Sequence, residues 1–145
     1  MNYLAHAVLS FDNPSILTGN MISDFVKGRR KYLYPESIRR GIELHRLIDR
    51  FTDEHESTAE AKSFFRPTYR LYSGAFVDVV YDHFLANDSN EFANASHLLR
   101  FSDSVYRTLE KNRKVLPVVF ASLFPYMKNE NWLYNYRLVT GIQKS

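Results

Sequence analysis

His45, Asp49 and Asp53 recur at four-residue intervals in a stretch whose hydrophobic residues repeat with a helical period. On a helix turning about 100° per residue, His45 and Asp49 fall within the apolar arc marked by Ile38, Ile42 and Ile48. Asp53 lies at the edge of that arc, and Arg39, Glu43, Arg46 and Arg50 lie outside it. Successive i,i+4 residues project on one side of a helix, so the three polar groups line up. Burying a carboxylate without a partner costs on the order of several kcal/mol, so this stripe requires compensation.

Three other segments repeat the anomaly. The apolar run Phe76–Leu85 carries Asp78 and Asp82, again at i,i+4, with His83 beside Asp82. Asp24 sits among Met21, Ile22, Phe25 and Val26, one turn after Asn20, and His6 lies in the otherwise apolar Tyr3–Leu9. A structural reading is available for any single His–Asp pair: a buried hydrogen bond with an arginine nearby. For the whole set the favoured reading is a metal site, because five converging carboxylates repel one another until a divalent cation neutralises them. Nitrogen and oxygen ligands without sulfur suit manganese, iron(II), zinc or magnesium, and the usual chemistry is hydrolysis by metal-activated water.

Helices must position these groups. Asn13-Pro14 is an N-cap followed by proline at the first helical position, and Gly28 fits the stop. A second helix is expected from Pro35-Glu36 to about His55. Ser57-x-x-Glu60 reads as a capping box opening a third, which Arg66-Pro67 should kink or divide. An apolar helix over 75–86 follows, then a polar loop over 87–94. Leu98, Phe101, Val105 and Leu109 mark the next helical face, Pro117 can start another helix, and 132–142 reads as one more. Without repeats, low-complexity tracts or alternating strands, the chain is expected to be one all-α domain over residues 1–145.

Composition narrows the function. With 145 residues, 45% of them hydrophobic and 24% charged, a folded domain with a substantial core is expected. Cysteine is absent, which removes disulfides, thiolate metal sites and thiol catalysis. No apolar run reaches the ~20 residues that span a bilayer, and the N-terminus lacks the pattern of a signal peptide. The expected compartment is the cytoplasm. Residues 27–50 hold eight basic residues against three acids, whereas the rest of the chain holds 11 against 13. Lys27, Arg29, Arg30, Arg39, Arg40 and Arg46 thus form a candidate surface for an anionic partner, with a solvated helix face as the alternative. Arg66 and Arg70, at i,i+4, could clamp a phosphate or form ordinary salt bridges. His55 could extend the stripe or merely end a helix, and His97 reads as exposed or capping. Phosphate-loop, nucleophile-elbow and H-E-x-x-H motifs are absent, and no nucleic-acid-binding motif is present.

At these residues the sequence resembles the acyl carrier protein phosphodiesterase family. The resemblance runs through Asn2-Tyr3-Leu4-Ala5-His6, residues 19–28 (G-N-M-I-S-D-F-V-K-G), residues 41–53 (G-I-E-L-H-R-L-I-D-R-F-T-D), residues 78–85 (D-V-V-Y-D-H-F-L) and Trp132-Leu133-x-x-Tyr136. It implies an all-α helix bundle distantly similar to HD-type metal phosphohydrolases. It also implies manganese-assisted cleavage of the phosphodiester joining 4′-phosphopantetheine to a serine of holo-acyl carrier protein. By residue matching, His6, Asp24, His45, Asp49, Asp82 and His83 form the implied site, with Asp53 and Asp78 close behind. Family members usually continue past the last Gly-Ile into further basic helix, whereas this sequence ends at Ser145.

The expected roles follow. His6, Asp24, His45, Asp49, Asp78, Asp82 and His83 hold one or two divalent ions. Asp24 or Asp53 orients or deprotonates water, and Arg66 or Arg70 offsets charge on the transferring group. The basic segment steers the acidic carrier protein. Two rivals remain: a metal phosphohydrolase of nucleotides or other small phosphodiesters, and a non-catalytic helical module whose buried His–Asp groups are structural.

Overall fold

The computed structural model describes residues 2–142, and no strand occurs among them. Nine α-helices are found in the described residues: α1 (Tyr3–Val8), α2 (Pro14–Ile22), α3 (Glu36–Glu54), α4 (Glu56–Tyr69), α5 (Ser73–Ala86), α6 (Ala95–Lys111), α7 (Val118–Asn129), α8 (Trp132–Asn135) and α9 (Val139–Ile142). Short 3₁₀ segments lie at Ser23–Phe25, Gly28–Leu33, Arg70–Tyr72 and Arg113–Val115. The sequence end at Ser145 lies outside the described residues.

The crossing of α2 with α3 organises the site. Gly19 and Gly41 meet there, and a Cβ built on Gly41 would strike the Ile16 carbonyl and come within 2.9 Å of the Gly19 Cα. Side chains at either position would force the helices apart, so glycine sets the distance between the elements carrying Asn20 and His45. Around this contact Leu4, Met21, Ile22 and Ile42 pack with Leu98, Leu109, Phe120, Phe124, Met127 and Leu133 into one core. The expected face of α6 is partly sealed: Leu98, Val105 and Leu109 are buried and Phe101 packs against them.

Several expected boundaries shift, each for a local reason. The first predicted helix stops at Ile22 and relaxes into a 3₁₀ turn, while Gly28, at φ +54°, opens the next 3₁₀ segment. The cap of α4 is His55 rather than Ser57, since its Nδ1 accepts from the Ser57 amide at 3.2 Å. Pro67 stays inside α4, and the break comes at Arg70, whose φ of +48° reverses the chain before α5. The expected helix over 132–142 is split into α8 and α9. His97 belongs to a cap, as expected: its amide donates to Asn94 Oδ1 and its Nδ1 accepts from the Ala93 amide.

Candidate metal centre

The stripe on α3 meets α1 and the end of α2. His45 Nδ1 donates to the Asn20 carbonyl at 2.8 Å, which leaves Nε2 facing two carboxylates. That Nε2 lies 3.1 Å from Asp49 Oδ2 and 3.2 Å from Asp24 Oδ1. From α1, His6 Nε2 lies 3.2 Å from the other oxygen of Asp49, Oδ1. The two imidazoles stack at 3.8 Å with 10° between their planes. Both histidines are buried, Asp49 is half-buried, and Asp24 is exposed, so the cluster opens to solvent at its carboxylate edge. His6, His45 and Asp49 each offer a ligand atom within 4.8 Å of the others, the single such group found among the described residues.

Protonation follows from this geometry. Burial pulls His45 down, but hydrogen bonds to Asp24 and Asp49 outweigh it and raise the imidazole to about 9. Burial instead governs His6, which is lowered, with its stacked neighbour His45 acting in the same direction. Its Nδ1 is buried with no hydrogen-bond partner among the described residues. Burial also pushes Asp49 up, yet hydrogen bonds with His45 and His6 hold it well below the usual carboxylate range. Asp24 is held low first by its hydrogen bond to His45. The proton on His45 thus lies between two carboxylates and offsets part of their charge, and a divalent cation fits the same position with more charge. The donor set, two imidazole nitrogens with carboxylate oxygens and no sulfur, suits manganese, iron(II), zinc or magnesium. The Nδ1–H bond from His45 to a backbone carbonyl is one that metal-binding histidines commonly make.

Two residues hold the histidines in place. Asn20, fully buried on α2, accepts His45 on its carbonyl and donates its side-chain amide to the His6 carbonyl (2.9 Å) and Ser10 Oγ (3.1 Å). Its positioning role escaped the sequence reading, although a polar residue amid apolar neighbours on α2 was the signal. Asp82, an expected metal ligand, is fully buried on α5, and its oxygens accept from the amides of Leu4 (2.8 Å) and Ala5 (3.0 Å). A helix N-terminus has unpaired amides and positive potential, so this carboxylate is satisfied without an ion. Burial nevertheless pushes Asp82 up to about 7 against those two bonds. It anchors the short helix that carries His6.

The remaining expected residues lie elsewhere. His83 Nδ1 donates to the Tyr136 carbonyl at 2.7 Å, tying α5 to the end of α8, and His83 is not part of the ligand group. Asp78 borders the cluster: burial raises its carboxyl, and the carboxylates of Asp53 and Asp49 act in the same direction. Asp53 accepts from Lys62 Nζ at 2.8 Å. His55 caps α4 instead of extending the stripe. Arg66 and Arg70 line a cleft between α4 and α5, and neither is in the ligand group found among the described residues. Of the basic segment, Lys27, Arg29, Arg30 and Arg40 are exposed. Arg39 lies over the Tyr32 ring at 5.5 Å, and Arg46 donates to the Val26 carbonyl at 2.8 Å, so these two are partly committed within the fold.

Comparison with known proteins addresses the whole chain. The family model for acyl carrier protein phosphodiesterase matches residues 1–145. A Klebsiella pneumoniae protein named acyl carrier protein phosphodiesterase is 37% identical over 150 residues, covering 99% of this chain and 75% of the relative. The Enterobacter protein of the same name is 35% identical over 144 residues, with the same coverages, and that of Yersinia pestis is 35% identical over 136 residues, covering 94% and 70%. No solved structure matches. No helix among the described residues is long and apolar enough to cross a membrane. With relatives of this identity aligned over nearly its full length, the chain belongs to the acyl carrier protein phosphodiesterase family.

Proposed function

We propose that this protein hydrolyses the phosphodiester between 4′-phosphopantetheine and a serine of holo-acyl carrier protein, releasing apo-carrier protein. The name shared by its relatives supports the reaction. The observation that carries the site is the convergence of His6 Nε2 and His45 Nε2 on the two oxygens of Asp49. In this reading His6, His45 and Asp49 hold a divalent cation, manganese first among the candidates, and Asp24 completes the set. Such an ion, when bound, supplies Lewis-acid chemistry that draws charge from a phosphoryl oxygen and acidifies water.

The chain's own residues prepare that chemistry. The Asn20 carbonyl orients His45 so that Nε2, not Nδ1, faces the carboxylates. Asp24, with 64% of its side chain exposed, is open to incoming water and is assigned its orientation. Water adds to phosphorus, the bond to the serine oxygen breaks, and that oxygen leaves as a hydroxyl. The exposed cations Lys27, Arg29 and Arg30 follow directly on Asp24 and the 3₁₀ turn that carries it, and exposed Arg40 lies on α3. Their field steers an acidic carrier protein toward the open edge of the cluster. The reaction belongs to the cytoplasm in this reading.

Mass spectrometry of holo-acyl carrier protein incubated with the protein tests the proposal. Loss of the phosphopantetheine mass with manganese, and its retention with chelator, is the expected result. Retention in both, from a protein that binds no metal by elemental analysis, would leave the buried His–Asp group structural.

A further inference from the structure

The cleft between α4 and α5 lies apart from the His/Asp cluster, and its lining is one-sided in charge. It is an open cleft of about 490 Å³ lined by Lys62, Arg66, Arg70, Leu71, Ser73 and Gly74. Half of these are cations and none is an acid. Among the described residues, neither Arg66 nor Arg70 has a carboxylate within ion-pair distance, although the i,i+4 spacing invited ordinary salt bridges. Like charges one turn apart repel, so the pair is left unbalanced by the fold. Leu71, the one large apolar side chain of the lining, is 97% exposed, and Tyr72 beside it in sequence is 77% exposed. Arg70 turns the chain at this tip with φ +48° and ψ −117°, a backbone state that side chains rarely adopt.

One ion pair links the cleft to the stripe on α3. Lys62 lies over Gly74 on one side and donates to Asp53 Oδ1 on the other. Asp53 follows Asp49 by one turn of α3. Lys62 thus joins the cleft to Asp53, one turn of α3 beyond Asp49.

We propose that this cleft seats an acidic, partly apolar segment of the protein substrate next to its modified serine, with carboxylates against Arg66 and Arg70 and an apolar side chain against Leu71. The inference rests on the reading of the substrate as a carrier protein. A reaction on a protein-borne phosphodiester needs a surface that meets protein beyond the phosphorus. Inorganic phosphate would gain from the guanidiniums but nothing from the exposed Leu71. An amphipathic acidic helix gains from both. Arg66 and Arg70 are thereby docking residues, set apart from the transferring phosphoryl group.

Fluorescence anisotropy with terminally labelled holo-acyl carrier protein, in chelator, tests the seat without requiring turnover. The double variant Arg66→Gln/Arg70→Gly removes both charges, and glycine adopts the positive φ at 70 without strain, which protects the fold. Its Kd should rise about tenfold or more and lose much of its salt dependence. Leu71→Ser, at a nearly fully exposed position, should weaken binding while leaving the salt dependence unchanged. Double-variant affinity within twofold of the wild type overturns the seat alone. So does full displacement of carrier protein by inorganic phosphate combined with wild-type affinity in Leu71→Ser. A wild-type protein that does not bind holo-carrier protein at all overturns the carrier-protein reading as well.

Discussion

His6 and His45 lie ring over ring at 3.8 Å, each holding one oxygen of the same carboxylate, Asp49. Two stacked, buried imidazoles cannot both carry a proton at low cost, and their opposite displacements reflect this: His45 is raised to about 9 and His6 is lowered. The proton on His45 thus stands where a divalent cation would sit in the proposed site.

This exchange sets a pH dependence. A histidine raised in the folded state stabilises fully below its unfolded value near 6.5 and loses that contribution as pH rises through about 9. The lowered His6 acts on the acid side of that window and does not cancel it. Metal-free protein should thus lose thermal stability between pH 6.5 and 9, and added manganese should raise Tm by an amount that grows over the same range. Melting curves at three pH values, with chelator and with manganese, check this. A manganese increment independent of pH would exclude His45 as the exchanging group.

Asp49 and Asp82 look alike in sequence but should behave differently. Asp49→Asn should weaken manganese binding by about 100-fold or more while the helices persist. Asp82→Ala strips the acceptors from two buried amides and should cost about 2–4 kcal/mol, read by chemical denaturation. In folded protein its manganese affinity should fall less than that of Asp49→Asn, since its effect passes through the placement of α1. Equal losses in calorimetric manganese titrations would restore Asp82 to the ligand set.

The glycine contact is a stability prediction with a functional readout. Gly41→Ala places a methyl against the Ile16 carbonyl, a backbone atom with little room to yield. A destabilisation of about 3 kcal/mol, at the upper end for overpacking, is expected by denaturant unfolding. Because the same crossing brings Asn20 to His45, manganese affinity should drop with it. Ala in place of Gly28 has nothing to strike within 4 Å and suffers only from its positive φ, so its cost should be smaller.

Steering and seating should separate kinetically. Charge reversal at Arg30 and Arg40, both exposed, should slow carrier-protein association and flatten its salt dependence with little change in dissociation rate. Stopped-flow binding at two ionic strengths reads both quantities. Unchanged association would remove the basic segment from the encounter.

The local arithmetic of the chain was legible throughout: helical periodicity, the Asn13-Pro14 start, the α6 face and the line of His45, Asp49 and Asp53 on one side of α3 all depend on residues within a few turns of one another. So was the need for compensation at every polar residue set among hydrophobes. What provides that compensation is a property of contacts far apart in sequence. Asp49 finds an imidazole from residue 6, whereas Asp82 finds two amides at residues 4 and 5, and an aspartate in an apolar helix reads the same in either case. Only the close glycine crossing of α2 and α3, together with the docking of α1 on α5, decided which acids face the histidines and which cap a helix. Burial charges every such residue alike, and the tertiary contacts determine the partner that answers it.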